Sequence, residues 1–329
     1  MPGSNGSIPH AGEGPPESVL PGIPRLLGLG LLAAALFSIT FVLNRAMSLD
    51  GGHWVWSASL RYFDTALLLS VWVLLERGPR YFTAILRLFA HRLRFWLIAG
   101  GVGFGVFYAC CCFAADHAPA WIIAATWQLT VLATPLVLWA FGNRVPLRGL
   151  MFLGLIFLGT LILNAERILS GVPLAQTLAG VLPVLVAAVA YPVGNQLLNR
   201  AKYSWGKTAE MLADPRAAVL LLTLGSLPVF VALILMTMPP PPSHGQIIAT
   251  AVIALISGCL ATTLFIYARN LSNDPLRIAA VDATQAGEVG FALLGETLFL
   301  GGTPPDFLSC VGLVAVVAGL IGFTFQSRP

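Results

Sequence analysis

Charged residues are scarce in this chain. Asp, Glu, Lys and Arg make up only 10% of its 329 residues, whereas hydrophobic residues make up 57%. Soluble domains carry about 25% charged residues, so this composition excludes an ordinary water-soluble fold. A mean hydropathy of +0.84 supports the same conclusion. The composition therefore predicts an integral membrane protein that crosses the lipid bilayer several times.

The sequence also lacks the motifs of familiar catalytic and metal centres. It contains no HExxH, GxSxG or Walker motif, and its five cysteines lie in apolar segments without metal-ligand spacing. The GGVGFG run at 100–105 also lies in an apolar segment with no preceding strand, which indicates close helix packing and not a phosphate-binding loop. We therefore expect no enzyme activity, no cofactor and no metal site.

Basic residues are missing from the loops on one side of the predicted membrane. If the N-terminus is cytoplasmic, nearly all of the 18 Lys and Arg residues fall in cytoplasmic segments, the exceptions being Arg45, Arg61 and Arg167. The positive-inside rule then places both termini in the cytoplasm, in a multi-pass protein of the cytoplasmic membrane. Because the basic residues form no continuous patch, we expect no nucleic-acid partner.

Long apolar segments dominate the rest of the chain. Residues 1–24 are rich in Pro, Gly and Ser and are expected to form a disordered tail. After this tail come ten segments, each close to the roughly 20 residues that a spanning helix requires. The expected fold is an all-α integral membrane protein with ten transmembrane helices. The segments are 26–47, 54–75, 95–116, 119–141, 149–168, 178–199, 217–238, 247–269, 278–299 and 306–326.

Short repeated motifs suggest an internal duplication. LNRA occurs at 43–46 and again at 198–201, and ATWQ at 125–128 is echoed by ATQ at 283–285. Both pairs fall on corresponding helices of two five-helix units, 25–168 and 178–326. Because five is odd, the second unit enters the membrane from the opposite side. This arrangement predicts two inverted five-helix repeats with a substrate site between them near the midplane.

Four polar residues interrupt the segment at 278–299. Asp282, Gln285, Glu288 and Glu296 share one face at about 100° per helical residue. An ionised acid at the centre of a spanning helix costs roughly 2.5 to 3.5 kcal/mol, so such acids are candidates for function. Glu288 lies near the midplane without a basic residue one helical turn away, which makes it a candidate proton carrier or, alternatively, a protonated structural acid. Asp282 could instead be an interfacial acid, and Glu296 a cap or gate residue.

Other polar residues could complete a binding cavity. Arg61 and Asp64 are three residues apart on one helix, so they are expected to form a structural ion pair or to act as a gate. The remaining candidates lie on other helices, where helix packing is the alternative explanation for them. They are Gln128, Trp127, Tyr191, Asn195 and Asn44.

The chain resembles a known transporter family. The run QAGEVGFALLGE at 285–296, together with AATWQL and PVLVAAVAYPVGNQLL, is similar to the drug/metabolite transporter (DMT) superfamily, EamA-like branch, and most closely to its multidrug resistance efflux group. Many members have a proline directly after the glutamate of this helix, where this chain has Val289. A proline kink is therefore not expected at that point. The resemblance covers about 26–326 and implies an exporter.

Together these observations predict a secondary active transporter that works by alternating access. The expected substrates are small cationic or amphipathic organic compounds, exported through a lipid bilayer in exchange for protons. An acidic cavity containing Asp282, Glu288 and Asp64 against Arg61 alone would favour such substrates. The alternative is a facilitator or exchanger of a neutral or zwitterionic metabolite such as an amino acid, with Arg61 and Gln285 as ligands.

Overall fold

The computed structural model describes residues 23–142, 150–206, 209–271 and 275–326, and all regular secondary structure among them is helical. Nine of these helices are long and apolar enough to cross a membrane. Eight of them come first along the chain: α1 (Ile23–Leu49), α2 (Trp54–His91), α3 (Leu93–Ala115), α4 (Ala120–Ala140), α5 (Leu150–Leu169), α6 (Leu174–Ser204), α7 (Pro215–Thr237) and α8 (His244–Arg269). Two shorter helices, α9 (Pro275–Ala283) and α10 (Gly287–Phe299), precede the ninth, α11 (Phe307–Gln326). A short helix, Ala209–Ala213, lies between α6 and α7.

The outer surface of this bundle is apolar. Large side chains such as Leu75, Trp139 and Leu235 are mostly exposed, at 83%, 73% and 65%. Exposing such a surface to water would be unfavourable in free energy, whereas lipid tails solvate it well. The prediction of an all-α integral membrane protein is confirmed. The predicted tail at 1–24 lies outside the described residues, except that Ile23 and Pro24 already belong to α1.

The predicted segment at 278–299 is not one continuous helix. It consists of α9, a 3₁₀ turn at Thr284–Ala286 and α10. The Thr284 hydroxyl donates a hydrogen bond of 2.6 Å to the Val281 carbonyl, which gives the backbone at this point a local alternative to the α-helical ladder. Because of this interruption the segment is not among the nine long helices.

Helix α4 contains a similar interruption. At Gln128 and Leu129 the backbone N–H groups bond to carbonyls three residues earlier, at 3.2 and 3.1 Å, as in a 3₁₀ helix. The two turns therefore coincide with the repeated ATWQ and ATQ motifs. Helices α3 and α8 also share an irregularity, since each contains a π-helical stretch, Gly101–Val106 and Ala254–Ala261. The π-helical stretches thus lie in the third helix of each predicted five-helix unit, and the 3₁₀ turns lie in the fourth.

Helix α2 is longer than the sequence predicted. The predicted loop after residue 75 is helical up to His91, with a kink where Gly78 adopts a φ of +80° before Pro79. A positive φ is favourable only for glycine, and proline is well tolerated in the first turn of the helix that follows. The arginines of this region therefore lie on a helical extension and not in a loop.

Candidate functional site

The centre of the bundle encloses a cavity of about 690 Å³. Helices from both halves of the chain line the cavity. These are α1 to α4 from the first half and α6 to α11 from the second half, with α9 contributing only Asp282 in its last turn. Ten of the 28 residues that line the cavity are aromatic. The aromatic lining residues are Phe37, Phe41, Tyr62, Phe104, Phe107, Tyr108, Trp127, Tyr191, Phe265 and Phe323.

Most of the residues predicted from the sequence line this cavity. Seven of them contribute to its wall: Arg61, Trp127, Gln128, Tyr191, Asp282, Gln285 and Glu288. The other three, Asn44, Asp64 and Asn195, are not among the lining residues. Asn44 lies just behind the wall, where its Oδ1 accepts a hydrogen bond of 3.2 Å from the Tyr108 hydroxyl.

Glu288 lies in the first turn of α10, directly after the 3₁₀ turn. Its side chain lines the cavity, and the residue is only 8% exposed. Among the described residues, none donates a hydrogen bond to its carboxylate or forms an ion pair with it. Burial without a partner favours the neutral, protonated carboxyl group over the carboxylate. The arrangement allows Glu288 to bind and release a proton within the cavity.

The two interrupted helices each place a glutamine in the cavity wall. Gln128 lies at the turn in α4 and Gln285 in the turn between α9 and α10, and both line the cavity. The Nε2 atom of each is buried and, within the described part of the chain, has no hydrogen-bond acceptor. Buried donors without acceptors are costly in free energy, so two of them beside one cavity are unusual.

Asp282 has a different environment from Glu288. Its Oδ1 lies 2.8 Å from the Arg269 Nε of α8, in a partly exposed ion pair at one end of the cavity. The sequence predicted that Asp282 adds to the negative charge of the cavity, but the pairing with Arg269 offsets this charge. Arg269 precedes Asp282 by more than three helical turns along the chain, so the partner could not be recognised from helical spacing.

Arg61 does not form the ion pair that was one of its two predicted roles. Its guanidinium carbon lies 4.0 Å from the centre of the Tyr108 ring and 5.6 Å from that of Tyr62. Among the described residues no carboxylate lies within ion-pair distance of it, so the predicted pair with Asp64 is not formed. Residues three apart on a helix still diverge by about 60°, and here Arg61 faces the cavity while Asp64 does not. Cation–π contact with the two tyrosines takes the place of the ion pair.

A pair of tyrosines and a pair of hydroxyl groups in the cavity wall were not predicted from the sequence. Tyr62 and Tyr108 pack together at 5.5 Å between ring centres, and the Thr40 hydroxyl donates to Ser257 Oγ at 2.7 Å across α1 and α8. All four side chains line the cavity. The dense aromatic pattern of α3 was the available signal for Tyr108. Nothing in the sequence linked Thr40 with Ser257.

The bundle is closed at the end that carries Glu296. The buried Glu296 carboxylate accepts a hydrogen bond from the Trp121 N–H at the start of α4, and Arg45 of α1 lies 3.9 Å from it. Arg45 also donates to the Ala115 carbonyl at 2.8 Å. The cavity instead extends toward the opposite end, where Asp282 and Thr324 line it. We refer to these as the Glu296 end and the Asp282 end.

The described residues form no group of three or more His, Cys, Asp and Glu side chains that could hold a metal ion. What they form is a membrane-spanning helical bundle around an aromatic cavity with ionisable groups, which is the architecture of a small-molecule transporter.

Comparison with known proteins identifies the family. The chain belongs to the EmrE-like family described as "Putative multidrug resistance efflux transporter", a part of the DMT superfamily, whose model matches residues 24–329. This membership supports a role in membrane transport and confirms the resemblance seen in the sequence.

Two relatives and one solved structure are similar to the chain. "Uncharacterized protein YjlA" of Bacillus subtilis (strain 168) is 38% identical over 92% of this chain and 94% of its own length. "Uncharacterized 42.1 kDa protein in intracellular alkaline protease 3'region" of Shouchella clausii is 34% identical over 79% of this chain and 69% of its own length. One crystal structure has a TM-score of 0.56 at 17% identity and covers 91% of this chain and 96% of that chain, which supports the fold alone.

Proposed function

We propose that this protein is a secondary active transporter that exports small amphipathic organic compounds with a cationic group across the cytoplasmic membrane in exchange for protons. The observation that carries the proposal is Glu288, a buried acid that lines the cavity and has no partner among the described residues. A purely structural acid at this depth would be expected to have a hydrogen-bond donor or a basic residue beside it.

Competition for Glu288 provides the coupling. A bound cation favours the ionised carboxylate, whereas a proton neutralises it and releases the cation. Below the pKa of the coupling group, each unit of pH should weaken cation binding about tenfold, or about 1.4 kcal/mol. A proton that enters from outside can therefore drive the release of a substrate that entered from the cytoplasm.

Alternating access requires that the cavity open at one end at a time. At the Glu296 end, the hydrogen bond between Trp121 and Glu296 joins two helices, whereas the cavity extends toward the Asp282 end. These features correspond to a state that is closed at one end. Two inverted units, 25–168 and 178–326, would exchange these states by rocking against each other. The matching π-helical stretches and 3₁₀ turns support this plan, because such interruptions occur at hinges.

The test is substrate binding to purified wild type and Glu288→Gln protein between pH 5 and 9. The amide keeps the size of the side chain but cannot titrate, so the pH dependence of cation binding should disappear, together with export driven by a proton gradient. Glu210→Gln is the matched control, since Glu210 is exposed on the short Ala209–Ala213 helix. A Glu288→Gln protein with the wild-type pH dependence would place the proton site elsewhere.

A second candidate function is favoured by Arg61. Its guanidinium in the cavity has no carboxylate partner among the described residues, which suits a neutral or zwitterionic metabolite carried by a facilitator or exchanger. In that case neither wild type nor Glu288→Gln protein would show pH-dependent binding.

Export also requires a defined orientation. We place both termini in the cytoplasm, which puts the Asp282 end on the cytoplasmic side and Ser243 outside. In a background without other cysteines, Ser243→Cys should react with an impermeant maleimide from outside intact cells, and Arg92→Cys only after lysis. The reverse pattern would overturn the orientation.

A further inference from the structure

A second cavity lies between the ends of α4 and α6. It has a volume of about 520 Å³ and shares no lining residue with the central cavity. The lining residues are Leu138 of α4 and, on α6, Gln196, Asn199, Arg200, Tyr203 and Ser204. Because α4 begins at the Glu296 end of the bundle, this cavity lies at the opposite, Asp282 end. We refer to it as the α4–α6 groove.

The α6 side of the groove is one polar stripe. Its five residues lie three or four positions apart, so they share one face of the helix over about 12 Å of its axis. Four of them are exposed, Tyr203 by 92%. None of the residues that line the groove is acidic, and one of them is an arginine. The groove is therefore positively charged.

Arg200 supplies this charge and is held in place by α4. Its Nη2 donates a hydrogen bond to the Phe141 carbonyl at the end of α4, and its guanidinium carbon lies 4.5 Å from the centre of the Phe141 ring. Its other N–H groups have no acceptor among the described residues, and no carboxylate of that part of the chain lies within ion-pair distance. A planar guanidinium that is fixed but lacks a counterion suits the oxygens of a phosphate group.

Two amides extend the donor set of Arg200. The side chains of Gln196 and Asn199 line the groove and form no hydrogen bond with the described residues. The Ser204 hydroxyl, in contrast, already donates to the Arg200 carbonyl of its own helix at 2.8 Å. The groove thus offers a guanidinium and two amide groups to one ligand with several acceptor oxygens.

Aromatic side chains mark the depth of the groove in the membrane. Trp139 on α4 and Tyr203 on α6 are 73% and 92% exposed, and exposed Trp and Tyr residues are concentrated at the level of the lipid headgroups. Leu136, one helical turn farther from the end of α4, is 62% exposed. The polar stripe and an apolar helix surface therefore lie side by side, as the phosphate and the acyl chains do in a phospholipid.

We infer that the α4–α6 groove binds the headgroup of an anionic phospholipid, whose phosphate contacts Arg200 and whose acyl chains lie along Leu136 and Trp139. Basic pockets between spanning helices are known sites for anionic headgroups. A soluble phosphate compound would gain the polar contacts but not the apolar ones. The groove is separate from the central cavity, so this binding does not depend on the transported substrate or on proton coupling. Because α4 and α6 belong to different five-helix units, the bound lipid contacts both units.

The test compares three probes on the full-length protein, freed of lipid in a non-ionic detergent. Dioleoylphosphatidylglycerol is anionic, dioleoylphosphatidylcholine has the same chains without net charge, and glycerol 3-phosphate has the phosphate without chains. Native mass spectrometry measures the affinity of the first bound molecule of each. We expect dioleoylphosphatidylglycerol to bind at least about tenfold more tightly than either of the others, because only it combines a net negative charge with acyl chains.

Substitutions assign this binding to the groove. Arg200→Gln should weaken the binding of dioleoylphosphatidylglycerol about tenfold or more and leave that of dioleoylphosphatidylcholine within about twofold. Asn199→Leu should weaken it about threefold to tenfold without touching the contact between Arg200 and Phe141. Arg87→Gln is the matched control, because Arg87 is an exposed arginine of α2 that lines neither cavity. Its affinity should stay within about twofold of wild type.

Several results would overturn the lipid site. Wild-type protein that binds dioleoylphosphatidylcholine or glycerol 3-phosphate as tightly as dioleoylphosphatidylglycerol would do so. Equal weakening by Arg87→Gln and Arg200→Gln would show attraction to surface charge in general, and not to the groove. The melting temperature of each variant reports on folding. If Arg200→Gln does not fold, Asn199→Leu decides, and wild-type affinity in that variant also overturns the site.

Discussion

The carboxylate of Glu296 accepts a hydrogen bond from the backbone N–H of Trp121, with 3.4 Å between Oε2 and N. Glu296 belongs to α10, and Trp121 lies in the first turn of α4, where backbone N–H groups lack helical acceptors. The positive end of the helix dipole further favours a carboxylate at this position. Together with Arg45 of α1, at 3.9 Å, this contact links three helices at the closed end of the bundle.

Removing this carboxylate should open the Glu296 end. Glu296→Ala leaves the Trp121 N–H without its acceptor and removes the negative charge that faces Arg45, at a cost to the closed state of about 1 to 3 kcal/mol. Cys111 lines the cavity and serves as the reporter, with the other four cysteines replaced by alanine. An impermeant maleimide applied from the Glu296 side should label it several-fold faster in the variant.

Asp50→Ala is the control for this experiment, because Asp50 is an exposed acid at the same end. Its labelling rate should equal that of the unmodified chain. Equal rates for Glu296→Ala and the control would show that Glu296 does not keep this end closed.

Asp214 lies just before α7, outside the membrane-spanning segments, and should make the stability of the folded protein depend on pH. Burial alone would raise the pKa of Asp214, but hydrogen bonds and charge from Arg216 outweigh it and hold the pKa below its usual value of 3.8. Its Oδ1 also caps α7 by accepting the Arg216 N–H at 3.0 Å. A carboxyl group with a lowered pKa in the folded state stabilises the protein at neutral pH. This contribution is lost as the pH falls below about 4 and through the folded-state pKa.

Asp214→Asn should therefore lower the melting temperature in detergent at pH 7, because the amide retains a cap but loses the charge that Arg216 and Arg77 face. The difference from wild type should shrink at pH 3. Asp50→Asn should show no comparable difference at either pH. A constant deficit for Asp214→Asn across this range would contradict the role of its charge.

Gly225 should tolerate no side chain, because α3 and α7 pack through it. A Cβ at this position would collide with the Trp96 carbonyl oxygen and lie 3.3 Å from the Gly100 Cα. Backbone atoms cannot move aside as a side chain can, so Gly225→Ala should destabilise the protein by about 1 to 3 kcal/mol. Thermal unfolding in detergent measures the effect.

Gly154→Ala provides the matched comparison. Nothing lies within 4 Å of a Cβ built on Gly154, which is also helical. Alanine has the higher helix propensity by about 1 kcal/mol, so this variant should be as stable as wild type or slightly more stable. Equal destabilisation by both substitutions would show that close packing at Gly225 is not the cause.

The sequence alone determined the class of fold and identified Glu288 as a candidate functional residue. A run of about 20 apolar residues has one stable form in lipid, since a helix satisfies its own backbone hydrogen bonds. The cost of an acid in such a run identifies Glu288 without any structure. The repeated glutamine motifs likewise mark the two places where helices are interrupted.

Only the tertiary structure decided which charges act together. Helical spacing suggested Asp64 as the partner of Arg61 and left Asp282 as part of an acidic cavity, whereas the structure pairs Asp282 with Arg269 and stacks Arg61 on Tyr108. Spacing within a helix shows which residues share its face. It does not show which neighbouring helix that face contacts, because rotation and packing of whole helices determine the partners across the bundle.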